Sequence, residues 1–372
     1  MDNVKGSLEL IKRMNRSLVL ETVKNFQPIS RAQVAKKLKL SKTTVVAIVN
    51  DLVERKLLTE LGEGASSKGG GRPGMMLGFN PKSAYGIGVD IGGTKIQVII
   101  TDLIGEIVLA KKIETTNKVD ELISIIKDCI QEAGISAEKV IGMGIGVPGT
   151  TRNGTVVLAK SLGWQNLDLE SILKSQFHFP VFVKNDVQYA SMGERWLGSG
   201  DNSNNIFFIA IGTGIGSAII CDGSLVTGQQ NRAGEICYLT SRDDFIHDHV
   251  NVLGKSSVFE EKVSGSSLSR HEYSPEELFI LYSKRSPEAV PVIKDFIIDL
   301  SVAIANVISL LNPEFVIIGG GVSDSMGVVI DEIQSTVAKI TPTQTKVRLA
   351  TLGGQAGALG AIAYTFERVE QS

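Results

Sequence analysis

The chain has 372 residues, enough for two or three domains with sizeable cores. Its hydrophobic content of 43%, charged content of 21% and net charge of −2 describe an ordinary globular protein, with no whole-chain signal for a nucleic-acid partner, although an average can hide a local basic patch. The three cysteines, Cys129, Cys221 and Cys237, are far apart with no CxxC spacing, which argues against a disulfide framework or a thiolate zinc cluster and points to a reducing cytoplasm.

The opening stretch MDNVKGSLELIKRMNRSL is too charged for a signal peptide, and no run of about 18 apolar residues marks a membrane span. Two short helical patterns follow. Ser30 is the N-cap candidate before Arg31–Leu38, and Ser41 the candidate before Lys42–Arg55. Val34, Leu38 and Leu40 can meet Val45, Val49 and Leu52 at helical spacing. That arrangement turns Lys42, Thr43, Thr44, Ala47 and Asn50 outward, and residues of this kind reach phosphates and base edges in a major groove. Ser30 and Arg31 complete the expected DNA-facing set.

Residues 1–61 carry 12 Lys/Arg and 6 Asp/Glu, so this end is locally basic. Helix-turn-helix spacing plus charge favours DNA over the bland alternative, a helical protein-interaction module. The stretch TELGEGASSKGGGRPGMMLGFNP then suits a β-hairpin wing whose tip, carrying Lys68 and Arg72, doubles as a linker. Beside such a module, Arg72 in a Gly-Arg-Pro segment is expected in a minor groove.

From Tyr85 the texture changes to strands and glycines. YGIGVDIGGTKIQVIITDLIGEIVLAKK and NIFFIAIGTGIGSAIICDGSLVTG share one grammar of strand, Gly turn, strand, Asp-containing turn and strand, about 120 residues apart. Two such glycine turns facing each other can cradle a polyphosphate with backbone N–H groups.

The motifs DIGGTK (90–95), GIGVPG (144–149), ND (185–186), GTGIG (212–216), AGE (233–235) and NPEFVIIGGG (312–321) occur in the order found in the ROK family, which the chain resembles over its whole length. The amino-terminal module brings the resemblance closest to the repressor branch, with its xylose and N-acetylglucosamine repressors. The resemblance implies an α/β protein: a winged helix-turn-helix at residues 1–62, a wing and linker at 63–82, and a two-lobed actin-like ATPase fold of the ribonuclease H-like kind. Its lobes are expected at 83–195 and 196–372, with a C-terminal helix packing back on the first. Sugar ligands are implied too, and sugar kinases are among the relatives.

Matched to the family's motifs, Asp186 is the general base of the kinases, acting toward a sugar hydroxyl. Asn185 is expected to bond sugar hydroxyls through both halves of its amide, and Glu235 and Glu260 to accept from vicinal hydroxyls. Gly149, Ser161 and Tyr238 complete the implied sugar set. Gly92, Gly93, Thr94 and Lys95 keep one phosphate loop, with Asp90 ending the strand before it. Gly212, Thr213 and Gly214 keep the second, and Gly320, within Gly319–Gly321, would face an adenosine.

Three departures stand out. Cys237-Tyr238 replaces the family's Gly-His, the His of which is both a zinc ligand and a neighbour of the sugar. The family's cysteine cluster is absent, with Val258 at the position of its last cysteine. Ser161, in KSLGW, replaces an Asn that meets the sugar. No structural zinc is therefore expected. His247 and His249 would share a face on a strand, but a third and fourth ligand are not evident, so the stretch reads as a polar loop and no metal is assigned.

The leading expectation is a cytoplasmic, sugar-responsive repressor that binds operator DNA as a homodimer or higher homo-oligomer. Ligand in the cleft would either release or strengthen the operator complex. The alternative is an ATP- and Mg²⁺-dependent sugar kinase with Asp186 as base. No cofactor is assigned with certainty, and the retained phosphate loops leave ATP and Mg²⁺ open.

Overall fold

The computed structural model describes residues 2–64, 74–252 and 255–371. By contacts the chain divides into two compact units: Met1–Ala84 with Asp102–Ile104, and Tyr85–Thr101 with Gly105–Ser372.

In the first unit, α1 (Asp2–Phe26) precedes β1 (Ile29–Ser30), α2 (Arg31–Leu38), α3 (Lys42–Glu54), β2 (Leu58–Glu63) and β3 (Met75–Phe79). The serine signals act as expected. Ser30 caps α2 in a reciprocal capping box with Gln33, and the Ser41 side chain accepts from the Thr44 N–H. Lys39 makes the break between the helices in the left-handed region, φ 54°. Val34, Val45, Val49 and Leu52 are fully buried, with Leu38 and Leu40 packed against them. The sheet order β1-β3-β2 makes a winged helix.

Sequence patterning did not reveal α1. Its Val19 and Val23 are fully buried in the same core, and Arg16 pairs with Asp51 of α3 at 3.1 Å. The helix is long and charged, and Val19 and Val23, with partly buried Leu20 beside them, fix it in place, so burial rather than periodicity decides it. Lys68 and Arg72 lie outside the described residues.

The second unit runs β4 (Tyr85–Ile91), β5 (Lys95–Asp102), β6 (Ile107–Glu114), α4 (Val119–Glu132), β7 (Val140–Val147), β8 (Thr150–Arg152), β9 (Thr155–Ala159), β10 (Trp164–Leu167), α5 (Leu169–Gln176), β11 (Val181–Asn185) and α6 (Asp186–Leu197). There follow β12 (Ile206–Ile211), β13 (Ile215–Cys221), β14 (Ser224–Val226), α7 (Arg242–Ile246), α8 (Gly265–Leu268), α9 (Pro275–Ser283), α10 (Ala289–Leu311), β15 (Phe315–Gly319), α11 (Ile330–Ile340), β16 (Lys346–Leu349) and α12 (Ala356–Gln371).

Its two large sheets have orders β11-β7-β4-β5-β6 and β14-β13-β12-β15-β16. Each is a three-strand meander extended by two strands on the side of its first member, so the repeat seen in sequence is a repeat of topology. The hairpins differ in filling. Ile209, Ile211, Val316 and Ile318 pack with α10 in the second lobe. In the first lobe, α12 lies so close to β4 that a Cβ on Gly88 would come 1.9 Å from the Ala358 carbonyl oxygen.

Candidate functional site

Strand β4 delivers Asp90 to the cleft between the two sheets, beside Asp186 at the start of α6. Both carboxylates line one cavity of about 360 Å³, together with Ala210, Gly320 and Gly357. Gly357, in the first turn of α12, lets that helix close over Asp90: a Cβ there would sit 2.5 Å from the Asp90 Cγ. Asp90 Oδ1 is buried without a hydrogen-bond partner. Burial, and then the charge of Asp186, push the Asp90 carboxyl up to about 8. Burial raises Asp186 to about 6, against hydrogen bonds from the Val187 N–H and the Asn185 amide that favour its charged form. A carboxyl near 6 is suited to accept a proton at neutral pH.

Asn185 is engaged through both halves of its amide. Its Oδ1 accepts from the Val187 and Gln188 N–H groups at 3.0 and 3.1 Å, capping α6. Its Nδ2 donates to the Gly149 carbonyl at 3.0 Å and to Asp186 Oδ1 at 2.8 Å. These four bonds use the whole capacity of a carboxamide. Asn185 therefore orients Gly149 and Asp186. The signal was in the sequence, since Asn before an amphipathic helix is a preferred N-cap.

A second carboxylate pair forms around Cys237. The thiol donates to Glu235 Oε2 at 3.4 Å, and burial followed by the charge of Glu235 pushes it up to about 12, with Glu260 contributing. Cys237 is packed in the hydrophobic core of the second lobe and offers its thiol to Glu235 from there. Glu260 lies against the second glycine turn, where a Cβ on Gly214 would meet its Oε2 at 2.9 Å. Ser217 of β13 fixes the Glu235 segment, donating to the Gly234 carbonyl and accepting from the Ile236 N–H at 3.0 Å. Tyr238 is 37% exposed, at the margin of this group.

Gly212 and Thr213 line a further cavity of about 800 Å³ with Ser266 and Asp324. Gly321 and Asp324 border both this space and the Asp90–Asp186 cavity. The first glycine turn behaves differently. Gly93, Thr94 and Lys95 are exposed, and none of them lines either cavity. Ser161 lies near that turn: a Cβ on Gly93 would come 3.9 Å from the Ser161 Cβ. Sequence reasoning missed Glu194, which is fully buried and accepts from the Thr351 and Leu352 N–H groups at 3.0 and 2.8 Å, setting the loop that leads into Gly353 and Gly354.

Residues 86–368 match the ROK family. The chain belongs to the ROK family. It is 31% identical over 366 residues to the xylose repressor of Bacillus spizizenii, covering 94% of each chain. It is 31% identical over 308 residues to the glucokinase of Halalkalibacterium halodurans, covering 74% of this chain and 92% of the kinase. A crystal structure of a ROK family transcriptional regulator, a homologue of the E. coli MLC protein, matches with TM-score 0.78 and 21% identity over 97% of this chain and 100% of that one. The kinase match covers about three quarters of this chain, and the two regulator matches span nearly all of it.

As a ROK chain with a winged helix, this one presents Lys42, Thr43, Ala47 and Asn50 as exposed residues of α3, with Thr44 half-buried. Arg31 donates to Asn50 Oδ1 at 3.2 Å and to Glu60 Oε1 at 2.8 Å, tying α2, α3 and β2 together. Ser30 is committed to its cap, bonded to the Gln33 side chain at 2.9 Å. No helix among the described residues is long and apolar enough to cross a membrane.

The residues present do not fit the family's zinc. Tyr238 offers a phenol, Val258 offers no donor, and no group of three or more His, Cys, Asp or Glu converges among the described residues. The strand geometry expected for His247 and His249 is also corrected. Ser241 and Asp244 form a capping box that starts a helix at Arg242, and His247 follows its last turn with Nδ1 against the Asp243 carbonyl at 2.8 Å.

Proposed function

We propose that this ROK protein is a cytoplasmic, sugar-responsive transcriptional repressor whose ligand binds in the interlobe cleft and changes its affinity for operator DNA. The observation that supports the reading is a winged helix with an exposed Lys42-Thr43-Asn50 face, carried on one chain with a ROK unit in which Glu260 lies against the second glycine turn and Cys237 bonds Glu235. Glu235, Glu260 and Asp186 would accept from sugar hydroxyls, while Asn185 holds Gly149 and Asp186 in place. Ser161, Gly149 and Tyr238 would shape the rim. The protein would act as a homodimer or higher homo-oligomer, with the domain limits set by the sequence, and Lys68 and Arg72 would add wing contacts to DNA. Sugar and operator would be coupled by a shift between two states, typically worth about 1–3 kcal/mol.

The test is operator selection from random DNA with the full chain, followed by titration of D-xylose, D-glucose and N-acetyl-D-glucosamine into the complex. At least one sugar should change operator affinity by about fivefold or more. Glu235→Gln should abolish that response and leave sugar-free DNA affinity intact. Failure of every sugar to move the affinity would sink the reading.

A second reading, an ATP-dependent sugar kinase, is favoured by one observation: Asp186 is raised to about 6, where a general base works at neutral pH. In that reading Asp90, with its unpartnered buried oxygen, and Asp186 would hold Mg²⁺, which would screen phosphate charge. The glycines of both turns and Gly320 would face the nucleotide. ATP-dependent phosphorylation of an aldose, lost in Asp186→Asn, would establish it.

A further inference from the structure

The described residues between Glu235 and Glu260 bring no set of zinc donors together, yet two polar ties close the stretch. The first is the side chain of Asn251. Its Nδ2 donates to the Tyr238 carbonyl and to Thr240 Oγ1, both at 2.9 Å, and its Oδ1 accepts from the Val258 N–H at 3.0 Å. One carboxamide therefore joins Tyr238 to Val258. These are the two positions at which the family resemblance places a histidine and a cysteine of its zinc set.

The second tie is Asp244, a buried carboxylate. Its Oδ2 accepts from the Ser241 N–H and hydroxyl at 2.8 and 2.7 Å, and its Oδ1 from Lys262 Nζ at 2.7 Å. Lys262 and the Ser241 groups hold the Asp244 carboxyl down to about 2, so it is charged at any ordinary pH.

The spacing of these ties matters. Asn251 grips the backbone two residues before Glu260, and Asp244 grips a side chain two residues after it. The same amide reaches Tyr238, three residues beyond Glu235. Val258 and Phe259 are buried between the grips, so the backbone on either side of Glu260 has little freedom. A carboxylate that must meet a hydroxyl at hydrogen-bond distance benefits from such restraint, because less ordering remains for the ligand to impose.

We propose that Asn251 and the Asp244–Lys262 pair are positioning residues that replace the metal: a metal-free clasp holding Glu235 and Glu260 in ligand-binding register. The clasp rests on the sugar-site reading above for its purpose, but its existence can be read without any sugar. A tetrahedral zinc ties four side chains through one ion; here two hydrogen-bonded polar groups tie the same stretch through backbone and ion pair. Removing either should loosen the segment without touching a ligand atom.

The experiment uses the full chain. Amide exchange across residues 238–262, measured without sugar, should quicken in Asn251→Ala and in Lys262→Met and stay at the wild-type rate in Lys262→Arg, which keeps the cation. Affinity for whichever of D-xylose, D-glucose or N-acetyl-D-glucosamine binds the wild type should fall about tenfold in the first two variants, the effect of one lost hydrogen-bond partner. It should be kept in Lys262→Arg, while sugar-free operator affinity stays the same throughout. Where Asn251→Ala does not fold, Asn251→Asp serves: it keeps the acceptor for Val258, loses the donor for Tyr238, and should show the same exchange signature at Tyr238–Thr240. Unchanged exchange in these variants overturns the clasp. So does stoichiometric zinc in the purified protein together with loss of sugar binding on chelation. If no sugar binds the wild type while exchange responds as expected, the sugar-site reading fails and the clasp stands.

Discussion

In the first lobe of the ROK unit the strand Tyr85–Ile91 carries Asp90, paired across the sheet with Gly146; in the second, Ile206–Ile211 carries Ala210 at the corresponding place, paired with Gly319. Both residues line the same cavity. Two positions earlier the contrast reverses. Gly88 lets the backbone of α12 touch the first sheet, whereas Phe208 fills the second sheet's cluster with Met192 and Ala363 of α6 and α12. One topology is thus used twice, once to bring a helix down onto a sheet and a carboxylate into the cleft, once to hold the same helix off with a ring. The duplicated frame sets where strands lie, and single side chains decide which wall of the cleft carries charge.

Substitutions on the two strands put this contrast to the test. The largest effect is expected at Phe208, 2% exposed: Phe208→Ala should cost about 3–5 kcal/mol in urea unfolding, through lost burial and the cavity left behind. Next is the mirror change. Gly88→Val should cost about 3 kcal/mol, because the added carbon atoms meet backbone rather than a movable side chain. If Gly88→Val is neutral, the close approach of α12 is wrong.

Asp90→Asn comes third. A carboxyl whose folded pKa of about 8 exceeds its ordinary 3.8 holds its proton more tightly in the folded chain. Wild-type stability should therefore fall as pH rises from about 4 to about 8, and melting profiles of Asp90→Asn should be flatter across that window. An identical pH profile in the two proteins would refute the buried-acid account. Smallest and outside the lobes, Asn50→Ala should weaken operator binding by about 1–3 kcal/mol with sugar binding unchanged. Equal DNA affinity would show that Asn50 serves only its bond to Arg31.

Much of this was written in the order of residues. Ser30 and Ser41 announced the two helices of the winged unit because side-chain caps are local chemistry. The repeated glycine hairpins and the ROK motifs named the fold because each glycine turn satisfies a local steric demand. Asn185-Asp186, Glu235 and Glu260 could be singled out by motif. What no local pattern carried were relations between distant segments. Helix α1 owes its place to Val19 and Val23 meeting a core made elsewhere. Asn185 turned out to spend its whole amide on α6 and Gly149. Asp90 acquires its raised pKa from the closure of α12 nearly 270 residues later in the chain. Glu194 holds a loop 157 residues away. Asn251 and Asp244 read as loop polarity until their partners at Val258 and Lys262 are known. Caps, turns and motifs depend on a few neighbouring residues, so they are legible along the chain; desolvation, charge coupling and the sharing of hydrogen bonds depend on what else fills the same volume, so they arise only once distant segments have packed together.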